Sequence, residues 1–231
     1  MPSIHDEVLG EVIVRRSQRA SSIRIKYAAN GKFTALIPIL TPLFYLKRVL
    51  RESRDDLQQL AVESMGDIYT DGQQIGQHHT LAIVRSCMSN KPIIKTTRHT
   101  IVLTLPRDVD ESTEDVQKLI REEVTRVLRK EAKQYLPGEL ARLAEQGGFT
   151  YERIRFSHAS GRWGSCSSRG TISLNIALMK LPKQLIEYVL VHELAHTREM
   201  NHSPRFWNIV VQYDPLYKLH RRQMKQYTPH L

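Results

Sequence analysis

The first third of the chain alternates apolar and polar positions with a period of two, which predicts strands. Residues 11–16 read EVIVRR, a strand. Residues 22–38 read SIRIKYAANGKFTALIP, a hairpin in which Asn30-Gly31 supplies the positive φ angles of a tight turn. Thr41-Pro42 opens a helix carried to about Met65, with Leu43, Leu46, Leu50, Leu57 and Leu60 on one face. Asp71-Gly72 marks a turn. His79–Arg85 and His99–Leu105 are two further strands rich in β-branched residues.

The spacing then becomes helical. Ser112 caps a helix from Thr113 to about Gln146, Asp115 completes a capping box and Gly147-Gly148 ends it, while Pro137 splits or kinks it. A strand over Arg153–Ser157, a loop through Ser168 and a strand over Thr171–Leu174 follow. An apolar helix runs from Pro182 to about Met200, another from Pro204 to about Tyr213, and a basic helix follows Pro215. No internal repeat or low-complexity tract stands out. The pattern predicts an α+β fold: a β-rich part with one long helix over residues 8–106, packed on a core over residues 111–231.

At 231 residues the chain can bury a proper core, and 41% hydrophobic with 25% charged residues is ordinary globular composition. A net charge of +10 and a pI near 9.7 change the picture. They suit anionic partners such as nucleotides, acidic peptides or nucleic acid, and equally a basic protein with no such partner. Cys87 and Cys166 stand far apart, so neither a disulfide framework nor a thiolate metal site is expected. No secretory signal and no long apolar span is apparent, and the expected location is the cytoplasm.

The candidate chemistry lies in the apolar helix. His192, Glu193 and His196 form H-E-x-x-H. Two histidines four apart share one helix face, about 6 Å apart along the axis at ~1.5 Å per residue. Both imidazoles then reach one zinc ion, with Glu193 beside the open position where water enters as a nucleophile. The alternative is a buried helix whose histidines bond to carbonyls; the apolar surroundings, the need to bury Glu193 beside the His pair and the third ligand at hand weigh against it. Beyond Glu199 the only carboxylate side chain is Asp214, and Glu199 lies about 10 Å past His192 along the helix. His202 is therefore the expected third ligand. It sits in an elbow where Met200-Asn201 ends one helix, Asn tolerating the left-handed conformation, and Ser203-Pro204 starts the next. His220 and His230 are less favoured. Three neutral imidazoles leave a fourth position open, the arrangement of a catalytic rather than a structural site.

The pairing of SGRWGSCSSRGTISLNIALMKLP with HELAHTREMNHSPRFW resembles the YgjP-like metallopeptidase family, relatives of the SprT-like zinc proteins. The matching positions are Arg162 to Cys166, Leu174, Asn175, Pro182, His192, Glu193, His196, Asn201 to Ser203, Phe206 and Trp207. The resemblance covers the last third closely and the N-terminal half weakly, where this chain lacks a tryptophan usual in the first long helix. It implies a zincin-like core, one zinc ion per chain on His192, His196 and His202, and Glu193 as general base. It also implies that the Arg162–Cys166 stretch lines the cleft. Arg162, Ser165 and Asn175 are the candidate substrate contacts. Arg162 reads equally as an anion contact or as a surface residue, Trp163 and Gly164 as core and bend, and Cys166 as packing. Asn175 orients a ligand or simply ends its strand, and Phe206 and Trp207 pack behind the elbow.

Three activities fit these parts. The first is cleavage of peptide bonds in a protein substrate. The second follows from relatives described as UTP pyrophosphatases: hydrolysis of a nucleoside triphosphate, needing Arg or Lys near the metal, with Arg162, Lys180 and Lys183 the nearest in sequence. The third is a SprT-like protease working on nucleic acid, which predicts salt-dependent DNA binding. The basic clusters at Arg15–Arg19 and His220–Lys225 suit the last two only if they converge near the cleft, and are otherwise solvated faces.

Overall fold

In the computed structural model, residues 3–27, 32–58 and 68–230 are described. The chain divides into two compact units, Met1–Asp67 and Ile68–Leu231. The first unit is built on strands β1 (Ser3–Asp6), β2 (Gly10–Ser17), β3 (Arg24–Tyr27) and β4 (Phe33–Pro38), in sheet order β1-β2-β4-β3. The period-two pattern sets the buried face: Val12 and Val14 of β2 lie beside Phe33, Ala35 and Ile37 of β4, all at or near zero exposure. Helix α1 (Leu43–Glu52) lays Leu46 and Leu50, one turn apart, on that face. The expected hairpin is present as antiparallel β3–β4, and its Asn30-Gly31 turn falls outside the described residues. The expected helix to Met65 is interrupted at Ser53 and resumes over residues 54–58; Leu60 and Met65 also fall outside the described residues.

The second unit begins with the same frame. Strands β5 (Gln74–Ile75), β6 (His79–Ser86), β7 (Ile93–Thr96) and β8 (Thr100–Pro106) take the order β5-β6-β8-β7, again antiparallel, parallel, antiparallel. The parallel pairs end alike, Ser17 opposite Pro38 and Ser86 opposite Pro106. One arginine braces the chain after each pair. Arg16 donates to the carbonyls of Ile39 and Thr41, and Arg85 to those of Arg107 and Val109. Buried Phe33, Ala35 and Ile37 correspond to buried Ile101, Leu103 and Leu105. The chain thus contains a structural repeat that its sequence pattern does not announce, because the buried positions keep only their apolar character.

Helix α2 (Glu114–Gly147) covers this second sheet and runs on beneath the rest of the unit. This redraws the expected boundary: strands over residues 74–106, grouped by hydropathy with the N-terminal part, share one core with the last third of the chain. The physical reason is α2, whose inward side chains serve both. The helix is continuous through Pro137, half-exposed four residues after exposed Lys133, where a lost hydrogen bond is replaced by water at least cost. Its N-cap is Thr113, without a side-chain cap bond, so the expected Ser112 capping box is absent; Ser112 N donates to Asp110 Oδ1 instead. Gly148, at φ +60°, closes its C-terminus.

Buried Glu131 joins the pieces. Its carboxylate accepts from Gln77 N (2.8 Å), His78 N (3.2 Å) and His79 Nδ1 (2.6 Å), while Gln77 Nε2 donates to the carbonyls of Met179 and Leu181. A Cβ on Gly76 would collide with that carboxylate. A small mixed sheet, β10-β11-β9, follows from β9 (Arg153–Ser157), β10 (Gly164–Cys166) and β11 (Thr171–Asn175). Helices α3 (Lys183–Ala195), α4 (Pro204–Tyr213) and α5 (Tyr217–Gln223) complete the α+β unit. Among the described residues no helix is long and apolar enough to cross a membrane.

Candidate metal centre

Helix α3 is mostly apolar, with Leu185, Ile186, Val189, Leu190, Val191, Leu194 and Ala195 buried, so His192 and Glu193 near its C-terminal end are held rather than solvated. It ends at Ala195 with His196 as C-cap, one turn before the expected Met200. Thr197 and Arg198 continue in helix-like turns, their N–H groups donating to Leu194 O and Ala195 O. Arg198 fixes this loop by donating to the carbonyls of Gly147 and Gly148 at the end of α2. Asn201 is not left-handed as expected, since no described non-glycine residue has positive φ; its Oδ1 accepts from Ser203 N and shapes the elbow by its side chain. Ser203 caps α4, accepting from Phe206 N, with Pro204 at the first position.

The elbow brings His202 back to α3. One ligand nitrogen from each of His192, His196 and His202 lies within 4.8 Å of the others, the only such group of three among the described residues. Tetrahedral bonds of ~2.0–2.1 Å put two ligand nitrogens roughly 3.3 Å apart. Nε2 of His202 and Nε2 of His192 are 3.0 Å apart. His196 Nδ1 lies 3.1 Å from Glu199 O. A carbonyl only accepts, so Nδ1 carries the proton and Nε2 keeps its lone pair for a metal. Burial, then the neighbouring His196 and His202, pushes His192 down to about 3, with Arg221 adding to the effect. Burial likewise lowers His196, against the bond to Glu199 O. Both are neutral at neutral pH, the ligating form, and the donor set fits a zinc ion. Phe206, at zero exposure, floors the cluster with its ring 4.8, 4.5 and 4.8 Å from the three imidazoles.

Glu193 is 5% exposed, and burial pushes its carboxyl up to about 8, with the charge of Arg162 opposing. Its Oε2 is buried with no hydrogen-bond partner. A Cβ on Gly164 would lie 2.6 Å from Glu193 Oε1. Gly164 has no positive φ, so it is not the bend expected from the sequence. Its role is the missing side chain, which lets strand β10 pass against the carboxylate. Nothing local signals this, because the contact spans distant parts of the chain.

Strand β10 is the free edge of its sheet. Asn175 N donates to Trp163 O and Ser167 N to Thr171 O, so odd-numbered positions bond inward. The N–H and C=O groups of Gly164 and Cys166 therefore point to the open edge. Ser165, expected to touch substrate, has its side chain on the opposite sheet face from the one Gly164 turns to Glu193. Asn175, also expected there, is fully buried: Nδ2 donates to Ala159 O (2.6 Å) and Arg162 O (2.9 Å), and Oδ1 accepts from Ala177 N. It pins the loop that presents exposed Arg162. Lys183 starts α3, about 13 Å along the axis from His192, and Lys180 donates to His230 O. Arg162 is the candidate cation whose charge Glu193 feels. Burial and then Glu193 raise the Cys166 thiol, which stays protonated and unreactive. A cavity of about 310 Å³ opens beside His196, with Tyr151, Ser168, Arg169 and Arg198 in its wall.

No curated protein matches the chain. Two solved structures are similar over a part. The metallopeptidase zymogen abylysin of Pyrococcus abyssi is 27% identical, covering 39% of this chain and 92% of its own, at a TM-score of 0.36. The zymogen jannalysin of Methanocaldococcus jannaschii is 18% identical, covering 39% and 93%, at 0.35. The family described as YgjP-like, metallopeptidase domain, matches residues 21–227, nearly the whole chain, and the protein belongs to it.

Proposed function

We propose that the protein is a zinc-dependent peptidase in which Glu193 is the general base. The observation that carries this reading is the buried, unpartnered Oε2 of Glu193 beside three converging imidazoles and a free strand edge. A zinc ion on His192, His196 and His202 supplies Lewis acidity and makes water acidic near neutral pH. Burial raises the basicity of Glu193 and the charge of a bound zinc ion would hold it ionised, so that its Oε2 would take a proton from the attacking water and deliver it to the leaving amine. The main chain of Gly164 and Cys166 accepts an extended substrate as an added strand, aligning its backbone along Glu193. Phe206 keeps the imidazoles rigid and excludes water from beneath them.

The test is a side-by-side assay on purified, metal-quantified protein with an unstructured protein and with UTP. One zinc per chain and cleavage of the protein substrate are expected. Glu193→Gln should keep the metal and lose about 10²–10⁴-fold in rate. Gly164→Ala should also keep the metal while losing about tenfold or more, because the new methyl displaces the carboxylate. Pyrophosphate released from UTP, abolished by Glu193→Gln and with the protein uncut, would replace the peptidase reading by a nucleotide hydrolase. Absence of stoichiometric metal would remove the basis of both.

A further inference from the structure

Helix α5 contributes a cation to the metal centre that the peptidase chemistry above does not use. Arg221 lies over the Trp207 ring, its guanidinium carbon 4.9 Å from the centroid. Trp207 in turn stacks on His202, at 5.8 Å and 25°, and on Tyr217, at 5.2 Å and 19°. A guanidinium on an aromatic face keeps its orientation at little entropic cost. Arg221 is exposed and has no ion pair among the described residues. The carboxylate that shares its surroundings, Asp214, is committed elsewhere: Oδ2 lies 2.8 Å from His220 Nδ1 and Oδ1 accepts from Leu216 N. His192 and Tyr188, both on the metal helix, feel the Arg221 charge. A fixed, unneutralised positive charge one aromatic layer from a metal ligand is a poor arrangement for stability alone, since cations gathered around a dication repel one another. It suits a substrate that brings the missing negative charge.

We propose that Arg221, held on Trp207, is a specificity-determining residue that selects peptide substrates carrying an acidic side chain next to the scissile bond. This rests on the peptidase reading and adds to it the substrate class. The acidic side chain pairs with the Arg221 fork where it lies over Trp207. Discrimination then appears in binding, so loss of Arg221 raises KM for acidic substrates and leaves kcat nearly unchanged.

The experiment uses full-length, zinc-loaded Glu193→Gln protein, which binds without turning over. The probes are a labelled unstructured decapeptide with two adjacent aspartates and its twin with asparagines, read by fluorescence anisotropy. A charge-assisted pair predicts about tenfold tighter binding of the aspartate peptide. Arg221→Ala should bring the two peptides within about twofold, Arg221→Lys should restore part of the preference, and Arg222→Ala, the exposed neighbour, should change nothing. Equal affinity for the two peptides, or a preference that survives Arg221→Ala, overturns the assignment. UTP binding that depends on Arg221, with neither peptide bound, also overturns it and gives the cation to a triphosphate. Because binding is read without turnover, failure of peptide cleavage in the wild type would sink the peptidase reading without imitating any of these results.

Discussion

The two four-stranded sheets show the same frame put to two uses. Both pair their strands alike, both are braced by an arginine after the parallel pair, and both are followed by a helix with apolar positions one turn apart, Leu46 and Leu50 in one, Val116 and Ile120 in the other. The first has a core of apolar side chains alone. Every buried polar side chain among the described residues, Gln117, Glu131, Asn175, Glu193 and Asp214, lies in the second unit. The loops differ as well: after β4 come Ile39 and Leu40, with Leu40 91% exposed, while after β8 come Arg107, Asp108, Asp110 and Glu111. The difference teaches that hydrophobic burial is enough to form the frame. Buried hydrogen-bonding groups are added where the frame must hold other elements in one fixed position.

Three sets of substitutions break or sharpen this comparison. The largest effects come from the equivalent core positions Ile37 and Leu105, both fully buried. Each change to Ala should cost about 3–5 kcal/mol in chemical denaturation. Only Leu105→Ala should also weaken zinc retention under mild denaturant, since Leu105 shares its core with α3. Equal loss of zinc in the two variants would contradict the separation of cores. Next is Glu131→Ala, which strands two part-buried N–H groups and His79, and should cost about 2–3 kcal/mol. Glu131→Gln, keeping one acceptor, should recover part of that, as a melting series would show. The smallest effects belong to Arg16→Ala and Arg85→Ala, about 0.5–1 kcal/mol each because both sites are exposed. Costs differing by more than about 1 kcal/mol would mean that the two braces are not equivalent.

The metal helix was legible because its chemistry is local. H-E-x-x-H needs only helical spacing, and beyond Glu199 few side chains other than His202 can serve as third ligand. The elements around it were also legible, apart from their ends: α3 stops at Ala195 because Thr197 and Arg198 bond in tighter turns that sequence periodicity does not distinguish from helix. What could not be read depends on partners far along the chain. Gly164 looked like a bend and is a gap for Glu193; Asn175 and Ser165 looked like substrate contacts, and one lies beneath the cleft while the other turns its side chain from it. Arg221 sat in a basic run of the kind that is usually solvated, and only the Trp207 stack singles it out. The repeat was hidden because a core conserves volume and polarity pattern more than identity.

Helix α2, 34 residues long, also bears on how the protein comes apart. At ~1.5 Å per residue it is about 50 Å of continuous backbone. Its first half and middle are bonded to Tyr69 through Gln117 and to the β5–β8 sheet and its first turn through Glu123 and Glu131. Its second half is bonded to the metal-bearing elements through Arg142 to Glu187 and the terminal carbonyls to Arg198 and Tyr213. A helix anchored along both halves cannot fray from one without exposing apolar surface in the other, so residues 68–231 melt as one cooperative block. A gene fragment cut at residue 111 to isolate the catalytic part would discard the partners of half that helix. The shortest fragment expected to survive proteolysis with its histidines in place starts near Ile68.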